Sequence, residues 1–256
     1  MISAADIRGG KTALCGWAGI PDGFVAETIA TMGFEAVLLD MQHGGHNESS
    51  VFSGVTLVSG AGAAPFVRIP VGRNDMASRA LDFGAMGVVA PMINSKSDAE
   101  AFAAAMKYPP VGGRSWGPMR ARALQKDFDN ARYLASANSE TLAFAMIETR
   151  AALAALDDII AVDGVDGVFF GPGDFSIAWT NGGEMNPALE DMMPAVAEIA
   201  QKAKAAGKTA AMYVGNPDMC GRFAEMGYSF FAVGNEQRYM SEGAKNIIAK
   251  MRASLG

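Results

Sequence analysis

Eight short apolar runs recur along the chain, most of them followed by a segment with helical periodicity. No other feature narrows the possible folds so far. The runs are Ala13–Ala18, Ala36–Leu39, Pro65–Ile69, Gly87–Pro91, Leu142–Ile147, Gly167–Phe170, Thr209–Val214 and Phe230–Val233. They are rich in Val, Ile, Leu and Phe, and most are bounded by Gly, Pro or a charge, the pattern of strands. Their apolar character is continuous rather than alternating, as in parallel strands covered on both faces. Between them, "DGFVAETIATMG" places Phe24, Val25, Ile29 and Met32 at helical spacing, with Gly33 as a stop. "SKSDAEAFAAAMKYPP" opens on a cap signal and ends at two prolines. "TRAALAALDDIIAVDG" follows the fifth run and "NPDMCGRFAEMG" the seventh, and "SEGAKNIIAKMRASLG" reads as a C-terminal helix.

Eight strand–helix units in 256 residues predict an α/β chain folded as one (β/α)8 TIM barrel over residues 1–256. A doubly wound sheet would place a GxGxxG turn after an early strand, and none stands there. With 50% of its residues apolar, the chain can bury a large core without staples. The stretch from Tyr108 to Ser139 reads as a long irregular connection, which suggests a task.

The formal net charge of −6 argues against nucleic acid or an anionic membrane as partner. The opening "MISAADIRGGKTALCGW" lacks the apolar core of a signal peptide. No apolar run approaches the roughly 20 residues that span a bilayer. Cys15 and Cys220 match no metal or redox spacing. The expectation is a cytoplasmic protein with reduced thiols.

In such a barrel the active site lies at the C-terminal ends of the strands. Trp17 follows the first strand, and Asp40, Gln42, His43 and His46 follow the second. Arg68 ends the third, Glu148 follows the fifth, and Gly171, Pro172, Gly173 and Asp174 follow the sixth. Two carboxylates on adjacent strand ends suit a divalent cation with oxygen ligands. Both also read as helix caps, although Thr149 is a better cap than Glu148. Arg68 reads either as a partner for a substrate oxygen or as half of a local salt bridge. His43 reads either as a general base oriented by Asp40 or another acid, or as a loop histidine bonded to backbone. The predicted strands contain no lysine, and Lys208 sits at the wrong end of the seventh, so Schiff-base chemistry lacks its residue.

The stretches "LLDMQHG", "PFVRIP", "ALDFGAMGVVAPMI", "YPPVGGRSWGP", "MIETRAAL" and "VDGVDGVFFGPGDFS" occur in this order. Together they make nearly the whole chain resemble the metal-dependent pyruvate aldolases of the HpcH/HpaI aldolase family. The resemblance implies cleavage of a 4-hydroxy-2-oxoacid to pyruvate, or a close 2-oxoacid, and an aldehyde, with the reverse addition. It implies a divalent metal (Mg²⁺, Mn²⁺ or Co²⁺) on Glu148 and Asp174, His43 as base, and Arg68 stabilising the enolate oxygen. The 2-oxoacid carboxylate would lie on the backbone at Gly173. The related CoA-ester lyases of the citrate lyase and malyl-CoA lyase type are the alternative. They share the metal carboxylates but not the early D-x-x-H.

Many family members carry Glu where this chain has Gln42, and Gln where it has Met146, so the aldehyde half of the substrate is open. The family also pairs its histidine with an aspartate that matches Asp82. That residue falls at the end of a helix, on the opposite face of a barrel from His43. The gap is one strand length, roughly 15–20 Å. The expectation is therefore a neighbouring subunit's Asp82, in a homo-hexamer whose C-terminal helices are exchanged between subunits.

Overall fold

The computed structural model describes residues 1–125 and 127–256. Eight parallel strands close into a barrel in sequence order: β1 (Ala13–Ala18), β2 (Ala36–Asp40), β3 (Ala64–Arg68), β4 (Gly87–Ala90), β5 (Leu142–Ile147), β6 (Gly167–Phe170), β7 (Thr209–Val214) and β8 (Phe230–Val233). Closure is made where β1 pairs with β8, Ala13 opposite Phe230 and Gly16 opposite Val233. The expected (β/α)8 architecture is the observed one, with strand ends shifted by a residue at most.

Within each strand, alternate residues face opposite sides. Ala13, Cys15 and Trp17 of β1, Ala36 and Leu38 of β2, Ala64 and Phe66 of β3, and Leu142, Phe144 and Met146 of β5 pack together inside the barrel. Val37, Leu39, Val67, Ala143, Ala145 and Ile147 point outward against the helices. The rings of Phe66, Phe144 and Phe230 meet at 5.0–5.8 Å between centroids and fill the interior. Gly87 opposes Phe66 on β4, and a Cβ there would lie 2.1 Å from that ring. The same two-residue period, carried one step beyond the packed layer, sets up the barrel mouth: Asp40 follows Leu38, Arg68 follows Phe66, and Glu148 follows Met146.

Three connections differ from the sequence expectation. Among the described residues, the connection from Tyr108 to β5 holds two helices, Met119–Leu124 and Asn130–Glu140. Asp129 caps the second by accepting from the Arg132 N–H at 2.8 Å, a signal present in the sequence. The segment after β5 is broken at Ala155 into Arg150–Ala154 and Leu156–Ile160. The C-terminal helix begins at Glu236, not Ser241, and runs to Leu255 with Asn235 as its cap.

That last helix leaves the barrel after its first turn. Every residue from Met240 to Gly256 is exposed, including an apolar stripe of Met240, Ile247, Ile248, Met251 and Leu255, each 48–83% accessible. Among the described residues, no helix is long and apolar enough to cross a membrane.

Candidate active site

Asp40 organises the mouth of the barrel. Its register partner across β2–β3 is Arg68, so both side chains rise from the same layer. Arg68 donates from Nε and Nη2 to the two Asp40 oxygens at 2.8 and 2.6 Å. Trp17 donates its indole N–H to Oδ2 at 3.2 Å, and the Arg68 guanidinium lies 4.7 Å from the Trp17 ring centroid. Asp40 also accepts backbone N–H bonds from Gln42, His43 and Gly44 at 3.0, 3.4 and 3.0 Å. Burial alone would raise its pKa, but the bonds and charge of Arg68, helped by Gln42 and Trp17, hold the carboxyl below its ordinary value.

Both residues that the sequence left with two readings reach the cavity. Arg68 forms a local salt bridge and also lines the cavity. His43 is bound to Asp40 through its backbone N–H, and its exposed ring also lines the cavity. Asp40 thus sets the loop that carries His43.

Glu148 is 1% exposed at the end of β5. Its Oε1 accepts the N–H of Met92 at 2.7 Å, and Met92 has φ of 55°, in the left-handed region that is costly for a side-chain-bearing residue. Burial raises the Glu148 pKa to about 7, with the Asp174 charge adding to the rise and the Met92 bond and Arg68 opposing it. Thr149 is the cap of the following helix, accepting the Ala152 N–H at 3.0 Å. Glu148 is therefore not needed as a cap. Asp174 stands three residues into the helix Pro172–Trp179, whose N-cap is Gly171, and it too is no cap. A Cβ at Gly171 would come within 2.6 Å of Glu148 Oε2, so glycine keeps this space free for the carboxylate.

Trp17, Asp40, His43, Arg68, Glu148, Gly171, Pro172, Gly173 and Asp174 line one cavity of about 350 Å³, the size of a small-metabolite site. Two carboxylates, one of them buried against its own desolvation cost, form a donor set that suits a hard divalent cation. Glu148 and Asp174 would fill only part of the coordination that such a cation takes, with the remaining positions open to water and substrate. Sequence reasoning missed Gly19, Phe169, Tyr213, Gly234 and Asn235, which also line the cavity. Inward parity on β6 and β7 was the available signal for Phe169 and Tyr213.

Three candidates do not line the cavity: Gln42, His46 and Asp82. Asp82 ends the helix Asn74–Asp82 and accepts from Arg114 Nη2 at 2.7 Å. Its pKa is raised, by burial first, against the pull of Arg114. His46 is buried outside the cavity, its Nδ1 3.0 Å from Ser50 Oγ, and burial lowers its pKa.

The family model for HpcH/HpaI aldolase/citrate lyase matches residues 17–242, a span that takes in all of these groups. The chain belongs to this family. As a member of the HpcH/HpaI aldolases and citrate lyases, it is a carbon–carbon lyase. It is 35% identical to a hydroxypyruvate/pyruvate aldolase of Rhizorhabdus wittichii, over 95% of this chain and 96% of the relative. It is 31% identical to a 4-hydroxy-2-oxo-heptane-1,7-dioate aldolase of Klebsiella pneumoniae, over 95% of this chain and 91% of that one. The crystal structure of a family protein from Burkholderia cenocepacia J2315 superposes with a TM-score of 0.86 at 24% identity, covering 97% of this chain and 98% of the other, and supports the fold.

Proposed function

We propose that the protein is a divalent-metal-dependent aldolase. It reversibly cleaves 4-hydroxy-2-oxoacids to pyruvate, or a close 2-oxoacid, and an aldehyde. The observation that carries this reading is the convergence of Glu148, Asp174, Arg68 and His43 on one cavity. The names of the two aldolase relatives support it.

A cation held by Glu148 and Asp174 would act as a Lewis acid toward the 2-oxo group. Gly173 and Asp174 bring backbone N–H groups at the start of the helix Pro172–Trp179, a natural seat for the substrate carboxylate. Arg68 has Nε and Nη2 committed to Asp40, which fixes its plane and leaves Nη1 for the oxygen that becomes enolate. His43 takes the proton of the 4-hydroxyl as the C3–C4 bond breaks. The bonding pair then forms the enolate and the aldehyde departs. A base and an oxyanion donor of this kind are each commonly worth about 10²–10⁴ in rate.

The reading includes the assembly. Asp82 would serve the His43 of a neighbouring copy, and the exposed apolar stripe of the last helix would pack on that copy in a homo-hexamer. The stripe and the placement of Asp82 outside its own chain's cavity support this.

The test is a screen of pyruvate with varied aldehydes, with and without Mg²⁺, Mn²⁺ and Co²⁺ after chelation, reading 4-hydroxy-2-oxoacid by mass spectrometry. Product that disappears on chelation and returns with metal is expected. Full activity after exhaustive chelation would overturn the metal role, and turnover of a CoA thioester in place of these substrates would overturn the substrate class.

A further inference from the structure

The first turn of the C-terminal helix touches the loop before the cavity, through a residue the mechanism above does not use. Glu236 is 5% exposed. Its Oε1 accepts two backbone N–H groups, Gly19 at 2.6 Å and Ile20 at 2.9 Å, just beyond the end of β1. The carbonyl of Gly19 in turn accepts the Gly45 N–H at 2.7 Å, two residues after His43. The same helical turn also provides Tyr239. Its hydroxyl donates to the Val233 carbonyl and accepts the Trp17 N–H at 3.2 Å.

The His43 loop is therefore held at both ends by carboxylates. Asp40 takes the N–H groups of Gln42, His43 and Gly44 from one side. Glu236, acting through Gly19, fixes Gly45 from the other. A buried carboxylate that accepts two charge-assisted bonds is a firm anchor. It also belongs to the helix whose exposed remainder carries the apolar stripe.

We propose that Glu236 is a positioning residue for His43: by clamping Gly19 and Ile20 it sets the loop that carries the base, and it ties that loop to the C-terminal helix. The proposal rests on the reading of His43 as base, but its structural half can be tested separately. Displacement of a catalytic group by about 1 Å can cost on the order of 10²-fold in rate. Glu236→Ala should then lower kcat by about 10–100-fold. The KM for pyruvate, Mn²⁺ affinity and oligomer mass should stay as in the parent.

Glu236→Gln keeps a carbonyl acceptor for both N–H groups and should restore most of the rate. The direct readout is amide hydrogen exchange in the assembled enzyme. Gly19, Ile20 and Gly45 should exchange faster in Glu236→Ala and near normally in Glu236→Gln. Unchanged Gly45 exchange in Glu236→Ala, equal losses in the two variants, or a loss that follows subunit dissociation would each overturn the proposal. Faster exchange with an undiminished kcat would also overturn the positioning role, and His43→Ala separates the two failures: slow cleavage there leaves the functional reading standing, whereas normal cleavage removes His43 from the chemistry.

Discussion

Two carboxylates at opposite ends of this barrel, Asp166 and Glu148, are treated in opposite ways. At the N-terminal end, Asp166 accepts from Arg8 at 3.0 and 2.8 Å, from Lys107 at 2.7 Å and from the Ala143 N–H at 2.8 Å. The same Lys107 ammonium also donates to the carbonyls of Asn138 and Thr141 at 2.9 and 2.7 Å, so its three hydrogens all have partners. At the C-terminal end, Glu148 is more deeply buried than Asp166 yet among the described residues takes one N–H bond, and the Asp174 charge repels it. A network satisfied within the chain does mechanical work. A buried carboxylate left short of donors is arranged for something that arrives later. In (β/α)8 barrels this division between stabilising bottom and functional top is general.

The largest expected effect sharpens that division. Glu148→Gln should lose metal binding and at least about 10³-fold in cleavage, since the cation and its Lewis acidity go together. The metal-free variant should be at least as stable as the metal-free parent, because a neutral amide replaces a carboxyl whose ionised form is costly to bury. Isothermal titration with Mn²⁺ and urea unfolding read the two halves. A clear loss of metal-free stability would place Glu148 with Asp166 as a structural acid and break the contrast.

His43→Ala should come next, losing about 10²–10⁴-fold in cleavage while keeping metal and pyruvate binding. Asp82→Asn should lose less, with metal binding intact. Mixed His43→Ala and Asp82→Asn subunits should regain part of the activity, since an intact His43 can then meet an intact Asp82 from its neighbour. Normal cleavage by His43→Ala would make it a loop residue, and well-mixed hybrids without rescue would return Asp82 to its own chain as a partner of Arg114.

At the bottom the prediction is reversed. Asp166→Ala leaves the Lys107 ammonium buried without its carboxylate, a change commonly costing about 3–5 kcal/mol. The urea midpoint should fall, while kcat per folded molecule stays at the parent value. A variant that unfolds normally but turns over slowly would show the two ends coupled.

The barrel was legible because parallel strands buried on both faces leave continuous apolar runs, and eight of them recurred. The candidate site was legible wherever a charged residue took an inward position at a strand end: Asp40, Arg68 and Glu148 each did so. Tyr213 and Phe169 were missed because an aromatic residue on an apolar strand gives no such contrast. Glu236 was missed because its helix begins five residues before the strong periodicity, and its partners are backbone N–H groups that leave no trace in a sequence. The role of Asp40 as the loop's organiser was hidden for the same reason, since three of its bonds go to main chain.

The smallest effect tests whether the top end also contributes stability. Burial works against ionisation of Asp40, yet Arg68 outweighs it and lowers the folded-state pKa. A carboxyl depressed on folding adds stability that is fully present above its unfolded value, near 3.9, and is lost as pH falls through the folded value. Unfolding followed from pH 6 downward should therefore show an acid loss, and part of it should be absent in Asp40→Asn, which has no proton to take up. The variant starts lower, because Arg68 is left buried beside an amide, so the two curves should converge as the pH drops. The difference should amount to a few degrees in Tm at most, well short of the Asp166 effect. Parallel curves from pH 6 to pH 3 would mean that the Asp40–Arg68 pair adds no net stability, and its place in the fold would then be the geometry of the cavity alone.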